Sequence, residues 1–348
     1  MPVFLNGNTP SSDLSPGVSR LKRGATNASQ EWAHKCVNIG LINNMPDAAL
    51  EATERQFLTL LGSAAGGITV RLSLYTLPDV PRNDWGRQRI QRFYTGLEGL
   101  WSAQLDGLIV TGREPRTPNL KDEPYWESLT KVLDWADENT HSTVWSCLAA
   151  HAALLHMDGI VRRKSTEKRC GVFDCIRLSD HRLLAGMSSR FKVPHSRWND
   201  LSADELTACG YSVLAQAQGA GADTIVKRRN SLFVFFQGHP EYEPDTLLLE
   251  YRRDVRRYLT GETDTYPSMP QGYFDEGAQE ALTALQEKAM SSRREDLLAS
   301  VTTAVDGKAI EHSWRSCAER LYSNWLNYVF EQKERRLSRG AVASHAHA

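Results

Sequence analysis

Short apolar runs separated by amphipathic stretches are what most restricts the fold of this chain. Residues 37–42, 69–75, 108–111, 143–146 and 231–236 are too short for stable helices and rich in Val, Leu, Ile, Phe and Trp. Runs of that kind are the mark of strands buried on both faces. Between them lie segments of helical periodicity: 48–61, with Leu50, Phe57, Leu58 and Leu61 on one face, 126–139, 148–156 and 245–259. Asp47 stands where it could cap the first of these. Strands alternating with helices predict an α/β fold, a parallel sheet with helices on both faces.

The rest of the chain is organised around that domain. A polar lead-in rich in Ser, Asn, Gly and Pro occupies 1–35 and is expected to be flexible, with the α/β domain spanning 36–262. Pro and Gly over 263–272 read as a linker into a C-terminal helical extension, 263–334, followed by a flexible tail, 335–348. Within the extension, residues 275–310 alternate Glu, Lys and Arg. They are expected to form exposed helix that covers the site or makes a subunit contact.

Charge and cysteine usage exclude several classes. A formal charge of −1 over 348 residues gives no overall field for nucleic acid or an anionic membrane. No apolar run approaches the roughly 20 residues that span a bilayer, and the first thirty residues lack the apolar centre of a secretory leader. A cytoplasmic location is the expectation. Cys36, Cys147, Cys170, Cys175, Cys209 and Cys317 include no C-x-x-C pair, and no His, Asp and Glu cluster has ligand spacing. Neither a disulfide framework nor a metal site is expected.

Cys147 stands apart from the other thiols because a buried strand ends at Ser146 and a helix of small residues begins at Leu148. Ligands of parallel sheets bind outside the carboxyl ends of the strands. A helix N-terminus favours a thiolate, and its first free amide, that of Leu148, can bind an oxyanion. A buried filler thiol is the competing reading. The second strand end that matters is Gln237-Gly238-His239-Pro240-Glu241. There His239 can serve as base for Cys147, with Glu241 orienting the imidazole. A surface turn is the bland alternative, and His151, one helical turn beyond Cys147, is a rival base.

These residues resemble the homoserine O-acyltransferase family of methionine biosynthesis. The resemblance runs through Asn43-Asn44-Met45-Pro46, Asp106-Gly107-Leu108, Thr111-Gly112, Tyr125-Trp126, Thr166-Glu167-Lys168, Pro194-His195-Ser196-Arg197, Tyr251-Arg252-Arg253-Asp254, Ser313-Trp314-Arg315-Ser316 and Asn324-Trp325-Leu326-Asn327. It covers nearly the whole chain, from about 37 to 330. The resemblance implies a flavodoxin-like fold of the class I glutamine amidotransferase type. It implies a ping-pong reaction in which an acyl-CoA co-substrate loads Cys147 and L-homoserine takes the acyl group, with no bound cofactor. It further implies Lys168, Ser196 and Arg253 as substrate-binding positions, and a homodimer. The sequence alone reads Arg253 as a solvated residue.

Three departures bear on specificity. In the loop Arg113-Glu114-Pro115-Arg116-Thr117-Pro118, the position that tunes the acyl donor in the family is Arg116, where succinyl-preferring relatives carry glycine and acetyl-preferring ones glutamate. A guanidinium suits a succinyl carboxylate, so succinyl-CoA is favoured over acetyl-CoA, unless Arg116 points to solvent. Residues 275–310 are an added segment. Leu148 follows the cysteine where relatives often carry an aromatic residue, so O-acetylation of L-homoserine or L-serine stays an alternative. A glutamine-amidotransferase-like cysteine hydrolase uses the same Cys, His, Glu order, but such enzymes usually flank the cysteine with glycines.

Overall fold

The computed structural model describes residues 3–6, 18–20, 35–305 and 310–345. Its strands are β1 (Val3–Asn6), β2 (Val18–Arg20), β3 (Cys36–Ile42), β4 (Thr69–Tyr75), β5 (Gly107–Val110), β6 (Ser142–Ser146), β7 (Arg163–Arg177), β8 (Arg190–Asp200), β9 (Ser212–Ala217), β10 (Gly221–Arg228) and β11 (Leu232–Phe236). Its helices are α1 (Asp47–Ala64), α2 (Asp84–Phe93), α3 (Leu97–Trp101), α4 (Trp126–Asn139), α5 (Leu148–Asp158), α6 (Ala203–Ala208), α7 (Thr246–Leu259), α8 (Glu276–Ser291), α9 (Leu297–Thr303) and α10 (Arg315–His345).

All strands belong to one sheet, ordered β2-β1-β4-β3-β5-β6-β11-β10-β9-β7-β8. From β2 to β11 every pairing is parallel; from β11 to β8 every pairing is antiparallel. Within the parallel part, β4-β3-β5-β6-β11 is the second, first, third, fourth and fifth of those strands in chain order. That is the flavodoxin-like order, with its switch point between β3 and β5. The expected α/β class and parallel sheet are therefore present.

Alternation along each strand feeds two cores. Ile39, Leu41, Ile109, Val144 and Val234 face α1 and α10, whereas Leu108, Val110, Trp145, Phe233 and Phe235 face α4 and α5. Burial on both faces explains why these strands read as continuous apolar runs. Trp325 of α10 packs against Gly107, where a Cβ would stand 3.1 Å from the indole, and its Nε1 donates to Ser142 Oγ at 2.9 Å.

The boundaries differ from expectation at both ends. Val3 and Leu5 sit in the core as β1 pairs with β4, so part of the lead-in is sheet; most of 1–35 lies outside the described residues. The helix α10 continues to His345 through the expected tail, and 346–348 lie outside the described residues. Nor does the extension stand apart. Gln271 is stitched to β7 by bonds to Cys170 O and from Val172 N–H, across Gly171, whose φ of +142° and contact with the Gln271 backbone leave no place for a Cβ. Leu282, Leu285 and Val301 of α8 and α9 share an apolar cluster with Leu247, Tyr251 and Val255 of α7, so 275–310 is not simply exposed helix. Asp47 does not cap α1. It is the first residue of that helix, and its carboxylate holds Asn83 N–H and Arg82.

Trp325→Ala is expected to lower unfolding stability by about 3–5 kcal/mol, the range for deleting a buried aromatic. Trp85→Ala, at a half-exposed ring, should change it by no more than about 0.5 kcal/mol. Urea unfolding of the two variants checks the contrast.

Candidate functional site

Cys147 takes φ 51° and ψ −111°, the one non-glycine residue at positive φ among the described residues. Such a backbone costs on the order of 1–3 kcal/mol and persists only where its surroundings over-determine it. Here they do: Cys147 N–H donates to Phe236 O at 2.7 Å, extending the β6–β11 pairing by one residue beyond Ser146. Space for the tight turn comes from Gly112, off the end of β5, where a Cβ would lie 2.7 Å from both Leu148 N and Leu148 Cβ. The elbow that flanking glycines usually supply is thus built with a glycine from the neighbouring strand. No side chain caps α5, which leaves its first amides available to a ligand.

His239 enters from the end of β11. Its N–H donates to Pro194 O at 2.8 Å, and Nδ1 lies 2.8 Å from Glu241 Oε1. Ser146 Oγ donates to the same carboxylate oxygen at 3.3 Å. Tyr242 stacks on the imidazole, ring centroids 4.2 Å apart, while Trp314 Nε1 holds Tyr242 O at 2.9 Å. Cys147 lies close enough for its charge to act on the same imidazole. Burial alone would favour the neutral ring. The charges of Glu241 and then Cys147 outweigh it and raise His239 well above its usual value. The rival base, His151, is fully buried against Gln237 Oε1 at 3.0 Å, and burial pushes its value down to about 4.

Beneath the His239 turn lies a group that sequence spacing does not reveal. Asp223 Oδ1 accepts Gly238 N–H at 3.2 Å and lies 3.2 Å from His195 Nε2, while Asp223 Oδ2 accepts from Thr224 Oγ1 at 2.8 Å. Cys175 brings a third potential ligand atom within 4.8 Å. Burial and the Asp223 charge push the Cys175 thiol up. The cluster is better described as the footing of the His239 turn.

Lys168, Ser196 and Arg253 come together through two acids of α7. Lys168 Nζ lies 2.7 Å from Asp254 Oδ2 and 3.8 Å from Glu250 Oε2. Ser196 Oγ donates to Glu250, and Tyr242 Oη donates to the same residue at 2.6 Å. Arg253 Nε donates to Asp254 Oδ1 at 2.9 Å and keeps its outer half exposed. Burial would raise Asp254, but Lys168 and then Arg253 hold it below the usual carboxylate range. The sequence gives no role to Glu250 and places Asp254 only within a motif; their i,i+4 spacing on one amphipathic helix is the available signal.

Arg116 is exposed on the loop after β5, its N–H and that of Thr117 held by Glu123 Oε1 at 2.5 and 2.8 Å. Arg113 is half-buried and lines a pocket with Thr111, Gly112, Tyr125, Leu148 and Ala149.

Fold and site together define an α/β protein with a Cys–His–Glu array at the carboxyl edge of a flavodoxin-like sheet. The family model described as homoserine O-succinyltransferase matches residues 20–336, and the chain belongs to that family. It is 47% identical over 294 residues to a homoserine O-succinyltransferase of Rhodopseudomonas palustris, covering 84% of this chain and 88% of that one. It is 43% identical over 331 residues to a protein of the same name from Methylorubrum extorquens, covering 94% and 98%. Among solved structures, a glutamine amido transferase from Methylobacillus flagellatus aligns with TM-score 0.47 at 16% identity, over 84% of this chain and 95% of that one. No described helix is long and apolar enough to cross a membrane.

Burial alone would raise Asp223, but His195 and Thr224 hold it below its usual range. A carboxyl depressed in the folded state contributes stability that is complete above its unfolded value, about 4, and is lost as pH falls through the folded value. Asp223→Asn should therefore cost on the order of 2 kcal/mol at pH 7, the scale of lost hydrogen bonds to a charged group. The gap from the wild type should close as pH drops below about 4. Urea unfolding of both proteins at pH 7 and at about pH 3 measures it.

Proposed function

We propose that this chain transfers an acyl group from acyl-CoA to the hydroxyl of L-homoserine in methionine biosynthesis, through a thioester on Cys147. The observation that carries this reading is the imidazole of His239 paired with Glu241 beside Cys147, which sits at an elbow whose neighbouring amides are uncapped. The relatives' names supply the substrate class. In the first half-reaction the Cys147 sulfur attacks the thioester carbonyl carbon of acyl-CoA. The oxyanion is stabilised by Leu148 N–H, and the CoA thiolate departs with the proton held by His239. In the second, His239 takes the hydroxyl proton of homoserine as that oxygen attacks the acyl carbon. The tetrahedral intermediate then collapses to the O-acyl ester and restores the Cys147 thiolate.

Lys168, Ser196 and Arg253 would hold the amino acid. Arg253, half-exposed beside Asp254, can turn its fork to the α-carboxylate. Glu250 supplies the counter-charge for the ammonium, and through Tyr242, which stacks on His239, it sets the amino acid relative to the base. Succinyl-CoA is the favoured donor.

Purified protein given L-homoserine and succinyl-CoA should yield O-succinylhomoserine by mass spectrometry, and Cys147→Ala should yield none. The wild type incubated with succinyl-CoA alone should carry a succinyl adduct on the Cys147 peptide. Persistent product from Cys147→Ala would exclude the thioester route, and ammonia release from glutamine without CoA would favour the hydrolase. Glu250→Gln should raise KM for L-homoserine by at least about ten-fold, the scale of one lost charged hydrogen bond, with little effect on KM for the acyl-CoA.

A further inference from the structure

We infer that Arg113, rather than Arg116, reads the acyl donor, by pairing with the distal carboxylate of a dicarboxylic acyl group. The assignment rests on the acyl-transfer reading above and specifies its donor class.

Arg113 Nε and Nη1 are buried, and among the described residues the side chain makes no hydrogen bond or ion pair; its one contact of note is the face of Tyr125, 6.0 Å from the guanidinium carbon. Buried polar groups are nearly always matched, and an uncompensated guanidinium is among the costliest to bury. A second guanidinium shares the neighbourhood: Arg162 spends Nη2 on Pro118 O at 3.1 Å and has Nη1 buried without a partner. Glu123 is the carboxylate close by: its Oε1 is held by the N–H groups of Arg116 and Thr117 and its Oε2 is buried without a hydrogen-bond partner, so one carboxylate stands against two guanidiniums. The charge balance of the pocket thus calls for an anion from outside the chain.

Position fits the acyl group. The pocket that Arg113 lines is walled by Leu148 and Ala149, the first residues of α5 after the nucleophile. Gly112, the residue before Arg113, is the one pressed against Leu148 N. An acyl carbonyl whose oxygen lies at the Leu148 amide would have Gly112, and next to it Arg113, as its neighbours. A four-carbon dicarboxylic acyl group ends in the carboxylate that the planar fork of arginine matches. An acetyl group ends in a methyl and leaves the guanidinium unpaired. A site built for a polar group rejects the analogue that lacks it more strongly than an apolar pocket rejects a missing methylene. Arg116, exposed and fixed through its backbone, has no such placement.

The test compares kcat/KM for succinyl-CoA and acetyl-CoA, with L-homoserine as acceptor, in wild type, Arg113→Ala, Arg113→Lys and Arg116→Ala. Arg113→Ala should lose about 100-fold with succinyl-CoA while changing less than about 3-fold with acetyl-CoA. Arg113→Lys should fall between, keeping charge without the fork, and Arg116→Ala should retain the wild-type preference. Equal losses with both donors, or a preference moved by Arg116→Ala and not by Arg113→Ala, would overturn the assignment. Thermal melts establish that each variant is folded, and Arg113→Gln, close in size, replaces the alanine form if that does not fold. A wild type that acylates homoserine as readily from acetyl-CoA overturns the role of Arg113 but leaves the transferase reading intact. A wild type that uses neither donor overturns both.

Discussion

The parallel pairing of β6 with β11 is the constraint on which the site depends. Leu232 to Phe236 lie in register with Ser142 to Ser146, and the ladder is carried one step further by Cys147 N–H on Phe236 O. Two segments almost a hundred residues apart therefore end side by side, one turning into the α5 elbow and the other into the His239 turn. The core on either face, Trp145 against Phe233 and Phe235 on one side and Val144 beside Val234 on the other, fixes this register. A slip by one residue would exchange the two faces of a strand that is buried on both.

Around that register the molecule manages an unusual amount of buried charge. Glu241 is balanced by His239, Asp223 is held by Thr224 Oγ1 and the Gly238 amide beside His195, and Lys168 is balanced by Glu250 and Asp254. Each of these groups is matched by at least one hydrogen bond or opposite charge, as burial demands. Such pairs add little net stability against an apolar equivalent, but they fix the orientation of the side chains that bear the chemistry. His195 and Asp223 do this for the backbone of the His239 turn, whereas Trp314 and Tyr242 do it for the ring itself.

Much of this was legible in the chain. The strands of the parallel half announce themselves because burial on both faces makes them uniformly apolar, and Cys147 and His239 are marked by standing where two such runs stop. The antiparallel half left no comparable trace: β7 begins Arg163, Lys164, Ser165, Thr166, Glu167, with most of those residues exposed, and so lacks both alternation and an apolar run. The capping role read for Asp47 failed because a tertiary partner, the Arg82–Asn83 backbone and side chain, outbid the local one. In the loop 113–118 the sequence offers two arginines but does not say which of them turns inward. Which guanidinium turns in is set by Glu123, which holds the backbone at Arg116 and Thr117 and so faces Arg116 outward. Glu250 escaped notice because its role depends on Ser196 and Tyr242 arriving from other strands.

The long helix α10 and the residues just before it tie together places that are far apart in the order of synthesis. Trp325 is bonded to Ser142 at the start of β6, Lys333 holds Cys36 O and Asp106 at the same edge of the sheet, and Trp314 grips the turn after His239. Every one of those partners leaves the ribosome before the residues that secure it. A nascent chain can lay down its parallel strands in sequence, yet the turn at His239 stays without its indole clamp until Trp314 emerges. Cys147 is thus synthesised early, while the turn at His239 is secured only by a residue that follows it by some seventy positions.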